Sequence, residues 1–406
     1  MEGKRVNRVL HLGIGLGMIA ASLGGFGQAQ PAQDNLAQQA LTLEQQGKSA
    51  EAEEAWRAIL KTHPANPAPY AHIGLLEARQ QHYKEAVPFY RKALAMNPNI
   101  PGLRLDLGLA LFKSGQAKEA ILEFRILLKS APADSPQAQR LTLLLGMAHY
   151  GLAEYAQAAP YLKQAAARDP NNLTLLLTLA HSYLWSKQFK YVLDVYHQIL
   201  VLNPDSAEAD MLAGEALDEM KDNEGSTKMF RAAAKANPRE PDVHFGLGYL
   251  LWTQKQYPEA AKEFQAELDN NPSHAQSMLY LADTEIQMNQ SEAALPLLEK
   301  VVQLDPSLPL AHLDLGIVYT AAGRNDDALR ELTKAEKLAP NEVNVHWRLG
   351  RLYRAMGKKD EAKAEFEKAS TLNKAADEAL YKKIAAGNAH PPQGQSTPEA
   401  PADKQP

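Results

Sequence analysis

Apolar residues recur at three- and four-residue spacing in paired runs, as in Phe245, Leu247, Gly248 and Leu251 followed by Ala260, Ala261, Phe264 and Leu268. Each run is long enough for about three to four helical turns and predicts a helix. A short break, Gln254 to Gln256 in this copy, separates the two runs and predicts a turn. Gly47, Gly115, Gly323 and Gly357 occupy that break in four copies, where a positive φ is easy for glycine. The unit is therefore helix, turn, helix, and the fold class is all-α.

The unit keeps a metre. Pro64, Pro98, Pro132, Pro170, Pro204, Pro238, Pro272, Pro306 and Pro340 stand 34 residues apart, except for one interval of 38. A fixed period of that size means stacked copies of one hairpin. Ten residues after each proline the slot is small: Gly74, Gly108, Ala180, Gly214, Gly248, Ala282, Gly316 and Gly350, with Gly146 once a four-residue insertion is allowed. Twenty-two residues after, it is small again, from Ala86 and Ala120 to Ala362, with Val192 and Ser226 as departures. Four residues further on it is bulky, as in Trp56, Tyr90, Phe124 and Phe264. The small slots predict close approach of the two helices of a hairpin, and the bulky slot is expected to fill the gap toward the next hairpin. Each proline ends a second helix, because it lacks an amide hydrogen and disfavours α conformation in the residue before it. Pro67, Pro101, Pro241 and Pro309 are expected at the start of first helices, where the missing donor does no harm. Pro88, Pro160 and Pro296 fall near the start of second helices, and Ala133 to Pro136 is expected to lengthen one turn.

This pattern resembles the tetratricopeptide repeat family. The resemblance covers residues 33 to 374 and implies an α-solenoid of about ten stacked hairpins winding into a right-handed superhelix. The repeats span 30–374, with copies ending at the nine prolines and at Lys374. Residues 375–386 read as a separate capping helix, with Leu380, Tyr381 and Ile384 inward.

The ends carry a different signal. Lys4, Arg5 and Arg8 precede an apolar stretch from Leu12 to Leu23 and a small-residue site at Gly27-Gln28-Ala29, the order of a secretory signal peptide over residues 1–29. Twelve residues of helix span about 18 Å, short of the roughly 30 Å hydrocarbon core, so a cleaved signal is expected rather than an anchor. The expected location is the periplasm or the outside of the cell. Residues 387–406, with Pro391, Pro392, Pro398, Pro401 and Pro406 among Gln, Ala and Ser, read as a disordered tail. The chain has no cysteine, and its net charge of -5 disfavours nucleic acid as a partner.

Chemistry is poorly represented. Neither a Gly-x-Ser-x-Gly elbow nor a His-Glu-x-x-His helix occurs. Gly47-Lys48-Ser49 resembles the end of a phosphate loop, yet Thr42 stands where the upstream glycine belongs. His244, His312 and His346 share one slot, but equivalent side chains in adjacent copies sit about 10 Å apart, too far for one metal. They are expected to pack between helices. Neither a cofactor, a metal nor an enzymatic activity is expected.

The resemblance implies that first helices line a concave binding face, exposed four, seven, eleven and fourteen residues after each proline. In that register fall Leu105, Leu109 and Phe112; then Met147 and Tyr150; then His181, with Trp185 beside it. Glu215 and Asp218 interrupt the apolar lining, Phe245, Tyr249 and Trp252 resume it, and Trp347 and Arg351 lie near the far end. Leu, Phe and Trp fill most slots where the family's chaperone-binding members place a carboxylate clamp, so that clamp is not carried over. The expected function is a non-enzymatic, exported scaffold holding a protein or peptide partner on this face. The alternative is an envelope carbohydrate or small-ligand binder stacking sugars on Trp185, Trp252 and Trp347.

Overall fold

The computed structural model describes residues 31–387 of the chain. The expected signal segment and the Pro-rich residues from 388 onward lie outside the described residues. The described residues form two compact units, which part between Asn237 and Pro238.

The first unit is a run of six hairpins: α1 (Pro31–Gln45) with α2 (Ser49–Thr62), α3 (Pro67–Arg79) with α4 (Tyr83–Met96), α5 (Leu103–Lys113) with α6 (Ala117–Ser130), α7 (Pro136–Gly151) with α8 (Tyr155–Arg168), α9 (Leu173–Trp185) with α10 (Phe189–Leu202), and α11 (Ala207–Glu219) with α12 (Asn223–Ala236). The second unit has four: α13 (Val243–Thr253) with α14 (Tyr257–Asn270), α15 (Ala275–Gln287) with α16 (Ser291–Leu304), α17 (Pro309–Ala321) with α18 (Asn325–Leu338), and α19 (Val343–Ala355) with α20 (Lys359–Gly387). Within each unit a second helix packs on the first helix of the following hairpin. First helices also touch one another, as α9 touches α11 and α17 touches both α15 and α19.

Nine second helices end two residues before their proline, as α4 ends at Met96 before Pro98. The tenth proline slot holds Lys374, which keeps its amide hydrogen, and α20 runs on unbroken to Gly387. The separate capping helix over 375–386 is thus corrected to a continuation of α20, and Tyr381, expected inward, is exposed.

The bulky slot packs in two directions. It reaches the next hairpin as expected, Phe264 stacking on Tyr280 of α15 at 5.9 Å and the Tyr196 hydroxyl donating to Asp210 of α11 at 2.8 Å. It also fills the small slot of its own hairpin: a β-carbon added at Gly74 would stand 2.7 Å from the Tyr90 ring, and one at Gly108 2.6 Å from Phe124. Absence of a side chain at one slot makes room for the ring at the other, so the pair sets how closely the hairpin closes. The second small slot is sealed throughout, including Val192 and Ser226.

All ten hairpin turns place one residue in the left-handed region at the same slot. Four are the expected glycines, and the others are Gln81, Ala153, Lys187, Lys221, Lys255 and Asn289. Pro67 and Pro309 begin first helices as expected. Pro101 and Pro241 do not; there Gly102 and Asp242 turn left-handed and the helices start at Leu103 and Val243. Glycine and aspartate tolerate that conformation where Ala68 and Leu310, in the same slot, stay helical. The inserted residues mostly lengthen α7 instead of a turn, since Ser135 caps it by accepting from the Ala138 amide and Pro136 opens its first turn.

Candidate functional site

The first helices carry the expected site residues, and neighbouring first helices decide how much of each is open. In the first unit Leu105 and Phe112 are half-buried, whereas Leu109, Met147 and Tyr150 are buried. Phe112 packs against the apolar clusters on both sides of it and bridges them. Trp185 is half-buried, meeting Tyr155 edge-on at 4.6 Å, and Tyr155 in turn meets Tyr150 at 5.6 Å. His181 Nε2 lies 3.0 Å from Glu208 Oε1 on α11. That helix carries Glu208, Asp210, Glu215, Asp218 and Glu219 and no Lys or Arg, so this stretch of the face is acidic. Glu215 and Asp218 are half-buried on it.

In the second unit Phe245 is buried and anchors a group of rings. Tyr280 of α15 stands nearly perpendicular to Tyr249 at 5.3 Å and to Trp252 at 5.2 Å, and Tyr249 stacks on Trp252 at 6.0 Å. The Trp252 indole N–H donates to Asp283 Oδ2 at 2.5 Å, and Gln287 Nε2 donates to the other carboxylate oxygen at 3.2 Å. Burial raises the Tyr280 hydroxyl to about 12, with help from the nearby carboxylates. Trp347 is 44% exposed, with the Arg351 guanidinium 4.9 Å from its ring centre. The expectation of an exposed lining therefore holds in part. Leu109, Met147, Tyr150 and Phe245 are corrected to buried positions: the first three lie within apolar clusters that gather side chains of several helices, and Phe245 lies on a helix touched by α15.

Charged groups that pattern reading passed over sit beneath this face. Asp314 of α17 is 1% exposed, and burial, reinforced by Asp283, holds its carboxyl well above the usual range. Its Oδ2 has no partner, and neither has Nε of Arg348 on α19, whose guanidinium is pushed down by burial. In the first unit burial lifts Asp106 to about 7 against the pull of Arg140 and Arg79. The Tyr90 hydroxyl and Arg140 Nη2 are buried there without partners. Such aspartates could have been noticed as single carboxylates on otherwise apolar helices, as in the α17 run Leu313-Asp314-Leu315.

The histidine slot does hold inter-helix ties. Nδ1 of His244, His312 and His346 lies 2.6, 2.8 and 2.7 Å from Glu263, Glu331 and Glu365 on the second helix of the same hairpin. Arg104 and Glu123 repeat that arrangement at 2.6 Å. Nε2 of His312 and His346 faces the Pro306 and Pro340 carbonyls, so in these two rings both nitrogens face acceptors. Glu336, His346 and Glu365 converge within 4.8 Å of one another. The cation among them is the Lys368 ammonium, 2.9 Å from Glu336 and 2.7 Å from Glu365. Asp326 and Asp327 lie in the first turn of α18, where Asp327 pairs with Arg324 and Arg330. Among the described residues no helix is long and apolar enough to cross a membrane.

Comparison with known proteins agrees with the repeat architecture. Patterns of the tetratricopeptide repeat match residues 37–101 and 219–275, and residues 77–145 and 151–215. The pattern of a tetratricopeptide repeat-like domain matches residues 252–386. A protein CTR9 homolog from Arabidopsis thaliana is 23% identical over 278 residues, covering 66% of this chain and 25% of its own. Cellulose synthase operon protein C from Pseudomonas fluorescens is 25% identical over 289 residues, covering 67% of this chain and 22% of its own. The chain thus spans about a quarter of the length of these two relatives. A solved structure of PilF from Pseudomonas aeruginosa is 18% identical, covers 55% of this chain and all of its own, and superposes with a TM-score of 0.45.

Proposed function

The chain belongs to the tetratricopeptide repeat family, whose members are characteristically non-catalytic scaffolds, and from that premise we propose that it is an exported adaptor docking a protein or peptide partner on its first-helix face. The ring group of α13 and α15 supports this reading most directly. Tyr249, Trp252 and Tyr280 are half-open, and the Asp283 carboxylate fixes the indole among them. Rigid aromatic side chains lose little rotamer freedom on binding, which is why a few of them dominate interface energies. Export rests on Lys4, Arg5 and Arg8 ahead of the apolar stretch to Leu23.

Sugar stacking is the weaker alternative. Trp185 and Trp252 commit ring surface to Tyr155, Tyr249 and Tyr280, which leaves Trp347 as the indole with the most open area.

A photo-crosslinking residue in place of Tyr249, introduced in cells and followed by mass spectrometry, identifies what lies on the face. Trp252→Ala should lower recovery of the same crosslinked protein by about tenfold. Unchanged recovery, or crosslinks to nothing reproducible, counts against the reading. Cell fractionation with N-terminal sequencing checks export, the expected mature chain beginning after Ala29.

A further inference from the structure

The last first helix, α19, breaks the rule that its predecessors obey. Seven residues after each proline of the second unit stand Phe245, Leu279, Leu313 and Trp347. The first three are 5%, 4% and 5% exposed, and each lies on a first helix touched by the one that follows it. Trp347, the bulkiest of the four, is 44% exposed.

This exposure is not a general failure to finish the edge. On the second helix of the same hairpin, Lys363 occupies the slot that holds Ala261, Leu295 and Leu329 in the three preceding copies. Ser370 is no such exchange, since the slot that holds Leu268 and Val302 in the seventh and eighth copies is already polar at Glu336 in the ninth. The last described hairpin thus carries a lysine where the three preceding copies are apolar, while its first-helix slot has gained an indole. An open tryptophan beside arginines has the composition of an interface centre.

Charge selects the partner. The α19 sequence contains Arg348, Arg351 and Arg354 and no carboxylate. Arg351 sits over Trp347, and Arg354 is 5.7 Å from the centre of the Phe366 ring. Asp314 of α17 faces Arg348 from beneath, but Arg351 and Arg354 are exposed. Guanidinium groups stacked on rings are held in place and present their donors to carboxylates in a fixed fork. In every other hairpin of the unit, the element that covers the equivalent slot is a helix.

We infer that Trp347, Arg351 and Arg354 dock an acidic amphipathic helix of a partner protein, laid along α19 as a further first helix would be. This rests on the reading of the first-helix face as a partner surface, and narrows it to one edge and one partner charge.

The probe is a pair of acetylated, amidated peptides of 14 residues, the length of α18. One combines Glu with Leu and Ala; its control replaces every Glu by Lys. Titration calorimetry with the chain lacking residues 1–29 should show binding of the acidic peptide and at least about tenfold weaker binding of the basic one. Trp347→Ala and Arg351→Glu, both at exposed positions, should each weaken acidic-peptide binding by about tenfold or more without shifting the melting temperature. Added salt should weaken it further.

Equal binding of both peptides, or no effect of either variant, overturns the proposal. If acidic-peptide binding instead responds to Trp252→Ala and not to Trp347→Ala, the edge assignment fails while the general first-helix reading stands. If no variant on either patch changes binding, both fail. Preferential binding of a DNA duplex over the acidic peptide, lost in Trp347→Ala, also overturns the assignment.

Discussion

Gly248 lies against Phe264 so closely that a β-carbon on the glycine would stand 2.8 Å from two ring carbons. The ring is fully buried, as is Ala260 one turn before it on α14. Gly248→Ala should therefore destabilise the protein by about 1 to 2 kcal/mol, because overpacking outweighs the helix propensity that alanine gains. Gly151 provides the contrast, since nothing lies within 4 Å of its added β-carbon. Gly151→Ala should stabilise by about 0.5 to 1 kcal/mol. Urea unfolding of the two variants beside the parent measures both, and the opposite signs are the test.

The left-handed turn slot gives a second contrast. Gly115 and Ala153 occupy it in adjacent hairpins, at φ 82 and 57. Ala153→Gly should relieve backbone strain and raise stability by up to about 1 kcal/mol, while Gly115→Ala should lower it by about 1 kcal/mol. Equal effects of the two substitutions would show that hydrogen bonds, and not φ, dominate this turn.

These cases mark how much was legible beforehand. The proline metre and the small and bulky slots of Gly248 and Phe264 recur copy after copy, so spacing alone reveals them, while the contact of the two within one hairpin came from the structure. The turn conformation recurs too, but five copies use Gln, Ala or Lys, which carry no preference for it, and only Asn289 joins the glycines as a residue that favours it. Burial of Leu109, Met147, Tyr150 and Phe245 depends on how side chains of several helices gather, a property of neighbouring copies and not of any one. The unbroken α20 follows from the missing proline at Lys374, a negative signal that a helical pattern after residue 375 obscured. The site was legible in most of its rings, though not in Tyr280, and illegible in its buried carboxylates. Asp106 and Asp314 both stand eight residues after their prolines, but that slot holds Thr178, Leu212, Gly246 and Tyr280 in other copies, so no repeated carboxylate marks it.

Asp106 makes stability depend on pH in a stated direction. Its carboxyl rises from the ordinary 3.8 to about 7 on folding, mainly through burial. The folded chain then holds a proton that the unfolded chain releases, so this group favours folding at low pH and that advantage is lost as pH rises from about 4 through 7. Asp106→Asn removes the titration while keeping the shape. Chemical denaturation should show a gain of about 1 to 3 kcal/mol at pH 8 and little change at pH 4. A variant whose difference from the parent is constant between those pH values would rule out titration of this carboxyl as the cause.

Asp283 separates the holding of Trp252 from the burial of charge. It is 5% exposed, accepts from the Trp252 indole and from Gln287, and its charge opposes ionisation of Asp314. Asp283→Leu leaves the indole N–H without its acceptor and should destabilise by about 1 to 3 kcal/mol, since bonds to charged acceptors are the stronger ones. The freed ring should show lower fluorescence anisotropy, measured against a Trp252→Phe background. Asp283→Asn retains an oxygen able to accept from the indole and removes the like charge beside Asp314. Its stability should stay within about 1 kcal/mol of the parent, and Asp314 should titrate at lower pH, observable by carboxyl carbon NMR. If the Asn variant loosened Trp252 as much as the Leu variant, the negative charge itself, and not the acceptor geometry, would be what holds the ring in the first-helix face.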